Sequence, residues 1–370
     1  MTNLLSWPSP EFEVHRALLP DGGLVDEEAT EIDVGALEEM CKAMLRARRF
    51  DERLLKLQRQ GALGTFAPVK GQEAAQVGAA YCLRDDDWFV PSFRETAAAL
   101  WRGARMEDIL VSVAGWNEGH AMETGGRTLP DAVPVASQLP IAVGIAHAGR
   151  LRGEDSVVMT VFGDGATSEG DFHEAMNFAA VLPAPVVFFC QNNGWAISTP
   201  RAKQTASETL AQKAHAYGIP AARVDGNDVL AVREVTEQAV RHARQEGRPA
   251  MIEAITYRME VHTTADDPTR YRGEDELEDW EERDPITRVR ALLEARSQFD
   301  AGMTEALEQE IGEEIDAAWD RAKARMEELE DKSETVIFDH VFAEPTEPLR
   351  RQKEQFRKEK EEAPDDGGEE

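Results

Sequence analysis

Two short runs in this sequence are equipped for chemistry: Gly163-Asp164-Gly165 and, 26 residues further on, Asn192-Asn193. A carboxylate (Asp164) and an amide oxygen (Asn193) brought to one edge of a sheet make a hard oxygen site suited to Mg²⁺ carrying a diphosphate. His262 is the strongest candidate for acid/base work near neutral pH. Of the other histidines, His147, His173, His215 and His242 read as surface or core filler.

The elements that must position these groups are legible around them. Val157–Phe162 (VVMTVF) is an apolar, β-branched and aromatic run, which predicts a buried strand ending at the Gly-Asp-Gly turn. Ser168 with Asp171 has the form of a capping box, and Phe172, Ala175, Met176, Ala179 and Ala180 follow at helical spacing. Leu182-Pro183-Ala184-Pro185 stops that helix, and Val186–Cys190 (VVFFC) predicts a second buried strand running into Gln191-Asn192-Asn193. A strand–helix–strand unit of this length gives parallel strands joined by a right-handed crossover. Asp164 and Asn193 then lie at neighbouring carboxyl ends. The Ala250–Tyr257 strand places His262 beyond another such end. A Gly-Asp-Gly triplet by itself is most often only a turn. A dinucleotide loop is disfavoured, because GDGATSEG lacks G-x-G-x-x-G spacing.

The text GDGATSEGDFHEAMNFAAVLPAPVVFFCQNNGWAISTP resembles the α subunit of the E1 component of 2-oxo acid dehydrogenase complexes, and the resemblance runs from about Gly61 to Arg272. It implies an α/β thiamine diphosphate-binding fold, a mostly parallel sheet flanked by helices with a helical C-terminal part. It also implies thiamine diphosphate and Mg²⁺ as cofactors. By position, Asp164, the side-chain oxygen of Asn193 and the main-chain carbonyl of Trp195 match the family's metal ligands. Gly163 belongs to the same motif, and Gly165 and Ala166 match positions whose N–H groups point at the diphosphate. Trp195 departs from the usual Tyr or Phe, which a backbone ligand tolerates. Gln191 stands where some branched-chain enzymes place a phosphate-touching Arg, so that contact is weakened. In the run Ser92-Phe93-Arg94, Arg94 matches a diphosphate-binding Arg whose fork suits phosphate. Phe93 belongs either to the pocket wall or to the core. Val133 and Val135 match a loop that wraps the aminopyrimidine, with a core strand or helix entry as the equal alternative. His262 matches a His on a mobile loop over the thiazolium, with Arg258, Asp266, Asp267 and Tyr271 as candidates to lock that loop.

The same resemblance implies two partners, an E1 β subunit in an α₂β₂ heterotetramer and an E2 lipoyl acyltransferase. The expected reaction is oxidative decarboxylation of a 2-oxo acid with acyl transfer to lipoamide. Pyruvate is favoured, then branched-chain 2-oxo acids, then acetoin. The rival readings are a catalytically silent scaffold paralogue and a nicotinamide dehydrogenase.

Composition excludes other classes. The 370 residues carry 71 acidic and 41 basic side chains, a net charge of −30. A nucleic-acid binder needs the opposite sign. The spread of acid along the chain suggests adaptation to a salty cytoplasm. Cys41, Cys82 and Cys190 fit neither a zinc spacing nor a disulfide framework, as expected of a reduced cytoplasm. The absence of an apolar run of membrane-spanning length argues against a membrane role. The pattern divides into an extended arm (1–34), the α/β cofactor domain (35–273), a helical region (274–346) and an acidic tail expected to be disordered (347–370).

Overall fold

The apolar runs flanking the Gly-Asp-Gly turn form the centre of a parallel sheet. The structure, a computed structural model, describes residues 12–28, 32–120, 126–297, 301–330, 334–339 and 341–362. Its strands are β1 (Val14–His15), β2 (Trp88–Val90), β3 (Arg127–Thr128), β4 (Val158–Gly163), β5 (Val186–Asn192), β6 (Trp195–Ala196), β7 (Thr199–Pro200), β8 (Ala221–Asp225) and β9 (Ala250–Ile255). Among the described residues the main sheet has the order β1-β8-β9-β5-β4-β2-β3, and every pairing in it is parallel. β6 and β7 form a separate antiparallel hairpin. The expected fold class is present.

Register brings the chemistry together. β4 pairs with β5 as far as Gly163↔Gln191, and β5 pairs with β9 as far as Asn192↔Ile255. Three carboxyl ends therefore finish side by side, with Asp164, Asn193 and the His262 loop just beyond them. Helices Gln138–Leu151 and Gly170–Val181 cover one face. The core beneath them holds Phe162, Phe172, Met176, Val186 and Phe188, all at most 1% exposed. Burying each such side chain contributes about 1.5–3 kcal/mol, which makes the strand ends a rigid platform.

The helix Gly170–Val181 does not open with the expected capping box. Asp164–Ser168 forms a 3₁₀ turn first, and the cap position, Glu169, makes no side-chain cap bond. Ser168 Oγ donates instead to the Gln204 carbonyl.

The helix Val34–Arg59 starts at Asp33, whose side chain accepts from the Ala36 N–H at 3.1 Å. It buries an apolar face with one acid on it. Asp51 accepts the Val69 N–H at 2.9 Å, and its burial pushes its carboxyl up to about 7. That contact pins the loop leading to Gly71, where φ is +98° and a Cβ would sit 2.3 Å from the Tyr257 carbonyl, so only glycine fits.

The described part of the arm lies on the body. β1 extends the sheet beside β8, and Asp228 accepts the Ala17 and Leu18 N–H groups at 2.7 and 2.6 Å. The chain packs as two units, Met1–Trp319 and Asp320–Glu370. The expected break after residue 273 is therefore not a break between compact units. Trp280 stacks on Tyr257 at 5.3 Å, and Arg288 pairs with Asp225 at 3.1 Å, tying the following helices to the sheet. In the second unit, the segment expected to be disordered is helical over Glu347–Glu362. Its charges fall at helical spacing, as in Arg357–Glu354 and Lys358–Glu354, and support the helix on its own surface. Residues 363–370 lie outside the described residues. No helix among the described residues is long and apolar enough to cross a membrane.

Candidate active site

A cavity of about 290 Å³ opens at the strand ends. Ser92, Phe93, Arg94, Val135, Gly163, Asp164, Gly165, Ala166, Asn193, Trp195 and His262 all line it. Val133 lines an adjoining chamber of about 730 Å³, which shares Phe93, Glu95, Val135, Ile197 and His262 with the smaller cavity. One region thus gathers the residues matched to cofactor and metal binding, while Arg258, Asp266, Asp267 and Tyr271 lie outside both linings. Val133 (70% exposed) and Val135 (47%) are not core residues, and half-buried Phe93 is a wall of both cavities.

Asp164 is 1% exposed and takes hydrogen bonds from the Asn193 N–H and from Gln204 Nε2, the latter at 2.7 Å. Burial pushes its carboxyl above the usual range despite those bonds, so the site favours a cation beside it. Asn193 Oδ1 accepts the Trp195 N–H at 3.2 Å. In the β6–β7 hairpin the Arg201 N–H donates to the Gly194 carbonyl at 2.8 Å, which makes Trp195 and Pro200 a non-hydrogen-bonded pair and turns the Trp195 carbonyl away from β7. Gly165 lies under the same hairpin, where a Cβ would come 2.7 Å from Ala196 Cβ. Among the described residues no three His, Cys, Asp or Glu side chains are grouped to hold a metal. A cation here would rest on one carboxylate, one amide oxygen, one carbonyl and the oxygens of an anion. That set suits Mg²⁺, which takes few protein ligands beside phosphate.

One guanidinium, that of Arg94, also lines the cavity. Arg94 is buried and donates from Nη1 to the Pro68 carbonyl at 2.8 Å and from Nη2 to both Nδ1 (3.0 Å) and the carbonyl (2.9 Å) of His262. Much of its fork is therefore spent on clamping two loops. Burial and the nearby Arg258 pull its guanidinium down to about 10. Arg258 is 1% exposed, and its Nε and Nη1 have no partner. Neither guanidinium forms an ion pair among the described residues. A buried guanidinium on the cavity wall, with a second one buried behind the His262 loop, fits a diphosphate.

Arg94 also settles the state of His262. A guanidinium only donates, so Nδ1 accepts and the proton of the neutral ring sits on Nε2. Burial, then Arg94 and Arg258, push this His down to about 4. In that state it turns an N–H donor, Nε2, rather than a free base, toward the cavity it lines. Its loop is held as expected by Asp266, which accepts the His262 N–H at 2.9 Å and bonds Tyr271, and by Arg258, which donates to Tyr271 at 3.2 Å. Asp267 does something else: it caps the Pro268–Arg270 turn.

Several site residues escaped the sequence reading. Gln204 arrives from beyond the hairpin, and Glu95 and Gln72 come from neighbouring turns. Gln72 and Gln76 left one signal, two amides four residues apart in an otherwise small and apolar run. Arg272 donates to the Arg258 and Met259 carbonyls and so braces the His262 loop from below.

Comparison with known proteins agrees with the geometry. The family model described as "Dehydrogenase E1 component" matches residues 41–330. The 3-methyl-2-oxobutanoate dehydrogenase subunit alpha of Mycobacterium tuberculosis is 42% identical over 354 residues, 95% of each chain. The pyruvate dehydrogenase E1 component subunit alpha of Staphylococcus epidermidis is 38% identical over 360 residues, 97% of this chain and 96% of the relative. That of Staphylococcus aureus is 38% identical over 353 residues. With a catalytic-type cavity at the strand ends and similarity along nearly its whole length, this chain belongs to the dehydrogenase E1 component family, as an α subunit of the 2-oxo acid dehydrogenase type.

Proposed function

We propose that this chain binds thiamine diphosphate through Mg²⁺ and, with a β subunit, oxidatively decarboxylates a 2-oxo acid and passes the acyl group to the lipoyl group of an E2 acyltransferase. The observation that carries the reading is one cavity lined by the oxygen donors Asp164 and Asn193, by the buried guanidinium of Arg94 and by His262. Asp164, Asn193 Oδ1 and the Trp195 carbonyl would hold the metal, and Arg94 with the N–H groups of Gly165 and Ala166 would hold phosphate oxygens. The coenzyme supplies the carbanion chemistry that no amino-acid side chain offers. The chain's own contribution is placement: Phe93 and Val135 bound the cavity, and His262 offers Nε2–H to an oxygen of the reacting acid.

Pyruvate is the substrate expected from the sequence, and the staphylococcal relatives support it. A branched-chain 2-oxo acid is the second reading. The apolar wall of the larger chamber (Leu54, Phe66, Phe89, Ile109, Val113, Leu129) favours it, as does the relative at 42% identity. That wall has room for more than a methyl group.

The test is co-expression with the β subunit, calorimetry of thiamine diphosphate with and without Mg²⁺, and ferricyanide reduction over a panel of 2-oxo acids. Mg²⁺-dependent uptake that Asp164→Ala abolishes is expected. Uptake indifferent to Mg²⁺ or to that substitution would end the reading. Uptake without turnover of any acid would favour the scaffold alternative.

A further inference from the structure

The buried amides beside the site form a chain with a direction. Gln76 is fixed by backbone groups: Nε2 donates to the Arg94 carbonyl at 2.9 Å, and Oε1 accepts the Ala97 N–H at 3.1 Å. A carbonyl cannot donate and an N–H cannot accept, so this amide has one orientation. The second Nε2 hydrogen of Gln76 reaches Gln191 Oε1 at 3.2 Å, and Gln191 Nε2 then donates to Glu95 Oε1 at 2.8 Å. Gln72 Nε2 donates to the same Gln191 oxygen at 3.0 Å. That leaves Gln72 Oε1 as an acceptor, and Asn193 Nδ2 fills it at 3.0 Å. The Asn193 nitrogen is thereby turned toward Gln72, and its oxygen, which also accepts the Trp195 N–H at 3.2 Å, is the atom left to meet a cation. Gln72, Gln76, Gln191 and Asn193 are between 1% and 7% exposed, so solvent offers few alternative partners.

We propose that Gln76, Gln191 and Gln72 are positioning residues that set the Asn193 amide with its oxygen, not its NH₂, toward the bound cation. The proposal rests on the Mg²⁺–thiamine diphosphate reading above. A carboxylate ligand has two equivalent oxygens and needs no such guidance, whereas an amide turned over would face a divalent cation with a donor. Partners that orient a metal ligand typically carry 10–100-fold in metal affinity.

The experiment uses the assembled α–β protein and the near-isosteric substitutions Gln72→Met and Gln76→Met. Mg²⁺ is titrated calorimetrically in the presence of thiamine diphosphate, and thiamine diphosphate binding is measured separately in chelator. The expected result for each variant is an Mg²⁺ Kd raised about tenfold, and for Gln76→Met, whose side chain does not line the cavity, metal-free coenzyme affinity held. In an Asn193→Asp background, Gln72→Met is expected to add no further loss of Mg²⁺ affinity. Gln76→Met touches no group that meets the cation, so it carries the test if Gln72→Met fails to assemble. An unchanged Mg²⁺ Kd in both variants, or equal losses with and without metal, would overturn the proposal. An unsubstituted assembly that takes up no coenzyme with Mg²⁺ would overturn the functional reading itself, before any variant is compared.

Discussion

At the scale of single residues, His262 shows how neighbours choose a protonation state. Arg94 donates to Nδ1, so a proton on that nitrogen would face a guanidinium. Burial first, then Arg94 and Arg258, push the folded His down to about 4, against about 6.5 in an unfolded chain. Between those values the unfolded chain binds more protons, so stability rises with pH through this window. The His262 contribution is fully present above about 6.5 and is lost progressively as pH falls toward 4. The expected outcome is that the Tm difference between the parent and His262→Gln shrinks from pH 7.5 to pH 5. A difference independent of pH would contradict the neutral tautomer. This state was not legible in the sequence. The position of His262 beyond a strand end was readable, but the Arg94 clamp joins residues 168 apart.

At the scale of elements, reading succeeded where one segment decides its own structure. β4 and β5 are continuous apolar runs, and their ends put Asp164 and Asn193 where the alternation of strand and helix required. It failed where a distant element intervenes. Ser168 had the form of a cap, yet the β6–β7 hairpin and its following turn bring the Gln204 carbonyl to its hydroxyl, and the chain takes a 3₁₀ turn first. The amide chain from Gln76 to Asn193 was unreadable for the same reason, since its links cross 115 to 121 positions. The hairpin's pressure on the Asp164–Ser168 turn leads to a prediction. Gly165→Ala places a Cβ 2.7 Å from Ala196 Cβ, and overpacking of this kind costs about 1–3 kcal/mol. Adding Ala196→Gly should recover most of that loss in a denaturant melt. Additive destabilisation in the double variant would show that the two do not press on each other.

At the scale of the whole molecule, two surface properties stand out. The first is apolar: Val133, Val135 and Ile197 are exposed beside the cavities, as suits a face completed by another subunit. The second is the charge. Seventy-one acidic side chains face 41 basic ones, and much of the basic set is already engaged, as in Arg49–Glu308 and Arg233–Glu237. The remaining negative charges repel one another in the folded state more than in the expanded one, because folding brings them closer. Salt screens that repulsion over a Debye length of about 10 Å at 0.1 M and about 3 Å at 1 M. Exposed ion pairs are screened as well, but each is worth only about 0–1 kcal/mol, so their loss opposes the trend weakly. Tm should therefore climb between 0.05 M and 2 M KCl. Sodium and potassium chloride should act alike, since screening depends on ionic strength and not on a specific site. A Tm that stays level or falls over this series would show that the acidic surface is not an adaptation to salt.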